Sequence, residues 1–393
     1  MPRPGSPRRA ACLVLALAAV PAAAGAQAPD DPVVIDHANE LRRVFEGDSL
    51  TYFLEGAVRA HRGPIQMRSQ RATIFRQSQV ADFERNVHFW DATTEIYADR
   101  LLYYELTNQA LATGSVQVID RRSGSQVAAD TVLYERDRDV ITARPRPHGI
   151  VLPQDSTRQE SPFHVWADLM IFHSDSLGTE VDGLGRVLIE RPDLTAVGDS
   201  LHYDELASRV ALRKEPRVET RETYLTAERI DVLLEENRVD ALVARDRARA
   251  VDKTDSIPPA VAAAFQNVSE SSFLEGDSLT IEFAEGEIDW LVAQGQARSL
   301  NYALESLPGP IETWSVNYLL GERLELNFRG DTLNRVVASG GHRGVYRSED
   351  VRVGGPERRP SEPIPMPPEL ALLAGAGFGA DRRRRSGSQR GER

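Results

Sequence analysis

Apolar and polar residues alternate one for one in short runs along most of this chain, and the runs resemble one another. Ala98-Asp99-Arg100-Leu101-Leu102-Tyr103 sets the pattern: a small residue, an acid, then an aliphatic and an aromatic two apart. It recurs at Gly47 to Tyr52, Ala129 to Tyr134, Ala167 to Phe172 and Gly198 to Tyr203, and more loosely at Ala227 to Val232, Gly276 to Ile281 and Gly321 to Leu326. A degenerate copy from Ser69 to Phe75 lacks the acid. In each copy one face is apolar (Leu50/Tyr52, Leu101/Tyr103, Val132/Tyr134, Met170/Phe172, Leu201/Tyr203), while the other carries Thr51, His202 or Glu325. Period-two alternation over so short a run predicts half-buried β-strands. A second strand signal, headed by Gly or Asn, lies between copies: Gly56-Ala57-Val58, Asn86-Val87-His88-Phe89 and Gly114-Ser115-Val116-Gln117-Val118. Gly and Asn tolerate the positive φ of a tight corner.

The spacing is regular. Asp99 to Asp130 and Asp168 to Asp199 are each 31 residues, and Asp199 to Glu228 is 29. A fixed period of this size marks a repeat architecture, in which each unit buries its apolar face against the next. Two strands and two corners per repeat predict an all-β fold, a flattened or V-shaped solenoid of short strands. Pro- and polar-rich residues from Arg144 to Pro162 are expected to form a loop. Asp252 to Glu270 also breaks the pattern, and Pro258 to Phe265 can start a short helix, since Pro suits a first turn.

The first 26 residues carry a positive head (Arg3, Arg8, Arg9), an apolar core from Ala10 to Val20 and a small-x-small site at Ala24-Gly25-Ala26. That is the layout of a cleaved signal peptide; an uncleaved anchor would need about 20 apolar residues. The single cysteine, Cys12, lies inside this segment, so the mature chain is expected to have no disulfide. Net charge is −12, and −15 once the three leader arginines are gone. So acidic a body argues against a nucleic-acid partner, which would require clustered Lys and Arg. The resulting division is a signal peptide at 1–26, β repeats over 27–251, a linker at 252–271, further repeats at 272–350 and a Pro/Gly/Arg-rich disordered tail at 351–393.

Taken together, the leader, the small-Asp-x-aliphatic-x-Tyr strands and the Gly-x-Val strands at about thirty residues resemble the OstA-like (LptA-type) lipopolysaccharide-transport proteins of the periplasm. The resemblance is best from Gly47 to Thr142, fair from Phe163 to Val251 and weak from Ser272 to Arg347. It implies a β-jellyroll, an open V-shaped stack whose apolar inside shelters acyl chains of lipopolysaccharide. It also implies joining end to end with other such β-jellyrolls, or with further copies of itself, into a bridge between inner and outer membrane. The implied place is the periplasm, either free or held at the outer membrane, with no enzyme activity and no cofactor. The lipid-contacting residues would be Leu50, Tyr52, Leu101, Tyr103, Val116, Val118, Val132, Tyr134, Met170, Phe172, Leu201 and Tyr203. This chain departs from the pattern in its two insertions and its basic run at Arg382 to Arg385, which is read as a solvated tail or a contact for lipid phosphates.

Other chemistry fits the residues less well. A ladder of Asp99, Asp130, Asp168 and Asp199 could bind calcium, but the simpler expectation is that each carboxylate accepts backbone N–H groups at a corner. The histidines show no metal-ligand spacing, and neither a G-x-S-x-G nor a phosphate loop is present. The alternatives to lipid carriage are therefore a structural or adhesive solenoid with a sealed core and, less favoured, a carbohydrate-active enzyme using a pair of the many carboxylates.

Overall fold

The computed structural model describes residues 32–152, 162–174, 178–235, 238–253, 257–265, 271–305, 311–330 and 332–352. The expected signal peptide lies outside them, as do residues 353–393 of the expected tail. The chain is all-β: the described residues form twenty-four strands, a single turn of 3-10 helix and one short α-helix, α1 (Pro259–Ala264).

The sheet is one antiparallel meander in which each rung pairs with the rungs before and after it in sequence. Ser49–Arg62 pairs with Ile65–Phe75, that with Val80–Trp90, then Thr94–Tyr104, Gln109–Asp120 and Gln126–Glu135. Each long strand spans the roll as one rung. Six rungs are broken at their midpoint into two strands, as Val140–Arg144 and His148–Val151 are, so the twenty-four strands make eighteen rungs. At about 4.8 Å per rung the roll is roughly 80 Å long.

The meander is creased along its midline, which divides every rung into a half in layer one (49–55, 71–75, 80–84, 100–104 and so on) and a half in layer two (58–62, 65–69, 87–90, 94–98). Register shifts mark the crease, at Glu55/Val58, Glu84/Val87, Thr113/Val116 and Leu184/Val187. Here the two sequence signals of the repeat meet. In alternate rungs the crease is a pair of left-handed residues, Gly56-Ala57, Gly114-Ser115, Gly185-Arg186 or Gly295-Gln296. The adjoining rung carries the acid, or Asn39 in the case of Gly56, and its side chain lies over the glycine. A Cβ on Gly114 would come within 2.5 Å of Asp99 Oδ2, and one on Gly185 within 2.6 Å of Asp168 Oδ2. Thirty residues is therefore the length of two rungs, one with an acid and one with a bulge.

The acids do not accept backbone N–H groups as the corner expectation had it. At Asp168, Glu228 and Glu322 the backbone N–H donates to the bulge of the next rung (Gly185 O, Asp246 O, Gly340 O). The side chains pair instead with cations on the bulge, Arg186 with Asp168, Lys214 with Asp199 and Arg247 with Glu228. The Pro-rich stretch after Arg144 also differs from expectation. Arg144 to His148 is a crease, and His148–Val151 is a layer-two strand paired with residues 126–128 and 163–166. Its prolines fall at the bend, where no ladder bond needs their missing N–H.

Folding along the crease turns the apolar faces of both layers inward. One continuous cluster runs from Val33 to Leu326. A second cluster lies on the outer face of layer two near the end of the chain, where α1 places Val261 and Phe265 against Leu300, Tyr302, Trp314 and Val316.

Candidate functional site

The interior between the layers is the place the sequence singles out. All twelve residues expected to contact lipid point into it. Leu101, Tyr103, Val116, Val118, Val132, Tyr134, Met170 and Leu201 are at most 3% exposed, and Phe172 and Tyr203 are 8% exposed. Leu50 and Tyr52, near the first rung, are only half-buried. The groove expected to be open is filled by the facing layer. Phe89 of layer two packs on Tyr103 and Tyr134 of layer one, with ring centroids 6.0 and 6.4 Å apart, and Phe163 packs on Tyr203 at 6.1 Å. Side chains long enough to meet at the midline leave no lane between them, because interiors close to crystal-like density.

Opposite the crease, the hairpin turns of the two layers form two lips, and polar side chains tie them together. Arg62 Nη1, on the layer-two lip, donates to Tyr103 Oη at 2.7 Å, and Tyr103 donates to Asn108 Oδ1 at 2.6 Å. Asp91, in the layer-two turn after Trp90, is 5% exposed. It accepts the backbone N–H of Thr93 and of Thr94, each at 2.9 Å, and Arg136 Nε from the layer-one lip at 3.0 Å. Tyr134 Oη lies 3.3 Å from Thr94 Oγ1 and 3.4 Å from Asp91 Oδ2. Further along, Ser174 Oγ donates to Asp120 Oδ2 at 2.9 Å, and Arg122 donates to Asp139 at 3.1 Å and to Ser174 O at 2.8 Å. Val33, ahead of the first strand, donates its N–H to Glu105 across the same seam.

These ties fix the electrostatics of the seam. Burial works to raise the pKa of Asp91, but the two turn amides and the Arg136 guanidinium outweigh it and hold the carboxyl below its ordinary value. Burial pushes the Tyr103 hydroxyl up, against the pull of Arg62. The motif's aromatic thus has two parts, a ring in the core and a hydroxyl at the rim. Asp91, Arg62, Asn108, Asp120 and Arg122 were missed in the sequence because they sit in the hairpin turns or at the strand ends beside them, outside the repeated motif. Their signal was the tyrosine itself, since a hydroxyl at the edge of an apolar wall needs a partner.

Several ties reach from a layer-two rung to a layer-one rung two or three further along, as Arg62 to Tyr103 and Asp120 to Ser174 do. The twist of the strands shears one layer past the other. At the start of the chain, inward-facing side chains of layer one therefore have nothing opposite them among the described residues: Leu41 is 53% and Phe45 61% exposed. At the other end layer two overhangs, and its inward face turns polar (Ser299, Asn301, Asn317) while its outward face takes α1. Among the described residues, no group of three His, Cys, Asp or Glu could hold a metal ion. No helix among them is long and apolar enough to cross a membrane.

No protein-family model matches the chain, and no curated protein is significantly similar to it in sequence. Among solved structures it is similar to LptH from Pseudomonas aeruginosa, described as the LptA-homologous periplasmic component of the lipopolysaccharide transport device. Identity is 13%, the match covers 46% of this chain and 82% of that one, and the TM-score is 0.13. A likeness at that score carries no inference about this chain.

Proposed function

We propose that this protein carries the acyl chains of an amphipathic lipid of the lipopolysaccharide type, without chemistry, along the interior of its roll. The observation behind this is the apolar cluster that runs from Val33 to Leu326 and reaches the first rung with Leu41 and Phe45 bare. An acyl chain spanning one leaflet is about 15 Å long, half the hydrocarbon core, so a roughly 80 Å interior is long enough for several in succession once the layers part. Each buried CH₂ contributes about 0.8 kcal/mol. The twelve inward residues from Leu50 to Tyr203 are the proposed lipid contacts, and the layers part to admit the chain.

On this reading the protein is an OstA-like bridge component of the periplasm, reached through its leader peptide. Among the described residues the first and last rungs have one edge unpaired and interior side chains bare, which a second copy or another β-jellyroll would cover. A photo-crosslinking residue in place of Phe172 or Leu201 is expected to trap lipopolysaccharide, while one in place of the outward-facing Arg100 or His202 is not. Equal labelling of both sets would sink the proposal. A sealed structural solenoid, the second reading, is favoured by the filled midline and predicts no labelling at either set.

A further inference from the structure

The geometry points to a portal in the seam between Asp120 and Thr179, through which a single acyl chain with an anionic head passes into the core; this rests on the carrier reading above. A cavity of about 30 Å³ enters the seam here. Its floor is Val118, Val127, Ile141 and Phe172, which belong to the continuous core or pack against it. It is therefore an outward arm of the apolar interior that reaches the rim. As it stands it has room for a water molecule or two, so the lips must part for a hydrocarbon chain.

The lips are held here by side chains. Asp120 takes the Ser174 hydroxyl, and Arg122 spans from the layer-two lip to Asp139 and to the Ser174 carbonyl. Bonds of this kind between half-exposed groups are individually weak. Arg122 is also the group that would recognise the head. Its side chain is one-third exposed and lies between two carboxylates, Asp139 at 3.1 Å and Asp120, on its own lip, at 3.8 Å. A carboxylate or phosphate arriving at the rim competes with Asp139, the one of the two on the layer-one lip, and by displacing it frees that lip while holding the lipid head outside the apolar floor. The head group thus loosens the tie that blocks its own tail.

The test uses the full chain with Cys12→Ser, carrying Asp120→Cys and Ser174→Cys so that oxidation locks the lips, and palmitate as the probe. The oxidised form is expected to bind palmitate about tenfold more weakly than the reduced form. Independently, Arg122→Glu is expected to weaken palmitate about fivefold, while the uncharged monopalmitoylglycerol, which needs no cation and meets a looser seam, binds at least as well as before. Palmitate bound equally by locked and reduced protein, or equal losses for both lipids in Arg122→Glu, would overturn the portal and leave the carrier reading standing. Failure of every form to bind either lipid would overturn the carrier reading itself.

Discussion

Tyr134 and Asp91 show how single residues decide whether this roll is shut. Replacing Asp91 with Ala leaves two turn amides and Arg136 without their acceptor, and a loss of about 3 kcal/mol is expected in denaturant unfolding. Tyr134→Phe keeps the ring and removes only the hydroxyl, for about 1 kcal/mol. The pH dependence separates two groups. The Asp91 carboxyl has a lowered pKa in the folded state, so its stabilisation is complete above the unfolded value near 3.8 and is lost as pH falls below that. His148 is pulled down to about 4, by burial first and then by the neighbouring His164. The unfolded chain takes up that proton from about pH 6.5 downward, so His148 makes stability fall between about pH 6.5 and 4 and level off below. Stability measured against pH should lose its upper limb in His148→Gln and its lower limb in Asp91→Asn. Residue types were only partly legible in the sequence. The inward set from Leu101 to Tyr203 stood out through alternation. The turn residues that close the seam are ordinary solvent-loving types, and only the fold brings them to the lip.

At the scale of the element, the crease carries the repeat. Gly114 (φ +76°) and Gly286 (φ +89°) are both left-handed, but a Cβ at Gly114 meets Asp99, while one at Gly286 meets nothing within 4 Å. Gly286→Ala is expected to cost about 1 kcal/mol, the backbone penalty alone, and Gly114→Ala clearly more. Equal losses in thermal unfolding would mean that the acid over the glycine is not a packing element. The strands and the pairing of acid-bearing with glycine-bearing rungs follow from the period of the sequence. The fate of Pro145 and Pro147 does not: proline reads as a loop in one dimension and proves to be a bend between two paired strands. Nor could alternation tell whether two inward faces meet or stand apart, since that depends on how long the facing side chains are. Phe89 against Tyr103 and Tyr134 supplies the answer.

At the scale of the whole molecule, the shear between layers makes the two ends unlike. The first rung bares Leu41 and Phe45, while the last rungs carry α1 on their outer face and a partly exposed inward Val336. Unlike ends with free edges favour head-to-tail contact over a symmetric dimer. Sedimentation should show larger species as concentration rises, and Phe45→Asp should suppress them; a strictly monomeric protein at high concentration would count against a bridge.

Because every rung pairs only with the one before and the one after, no part of the ladder specifies how many rungs there must be. Duplicating or deleting one acid-and-glycine unit changes the reach of the protein by about 10 Å and leaves the backbone pairing of the surviving rungs as it was, only the ties across the seam near the change having to be remade. Length in such a lineage is therefore free to change in thirty-residue steps, and on the proposed bridge role those steps would follow the width of the gap, with the end pieces kept constant and the middle varying in number.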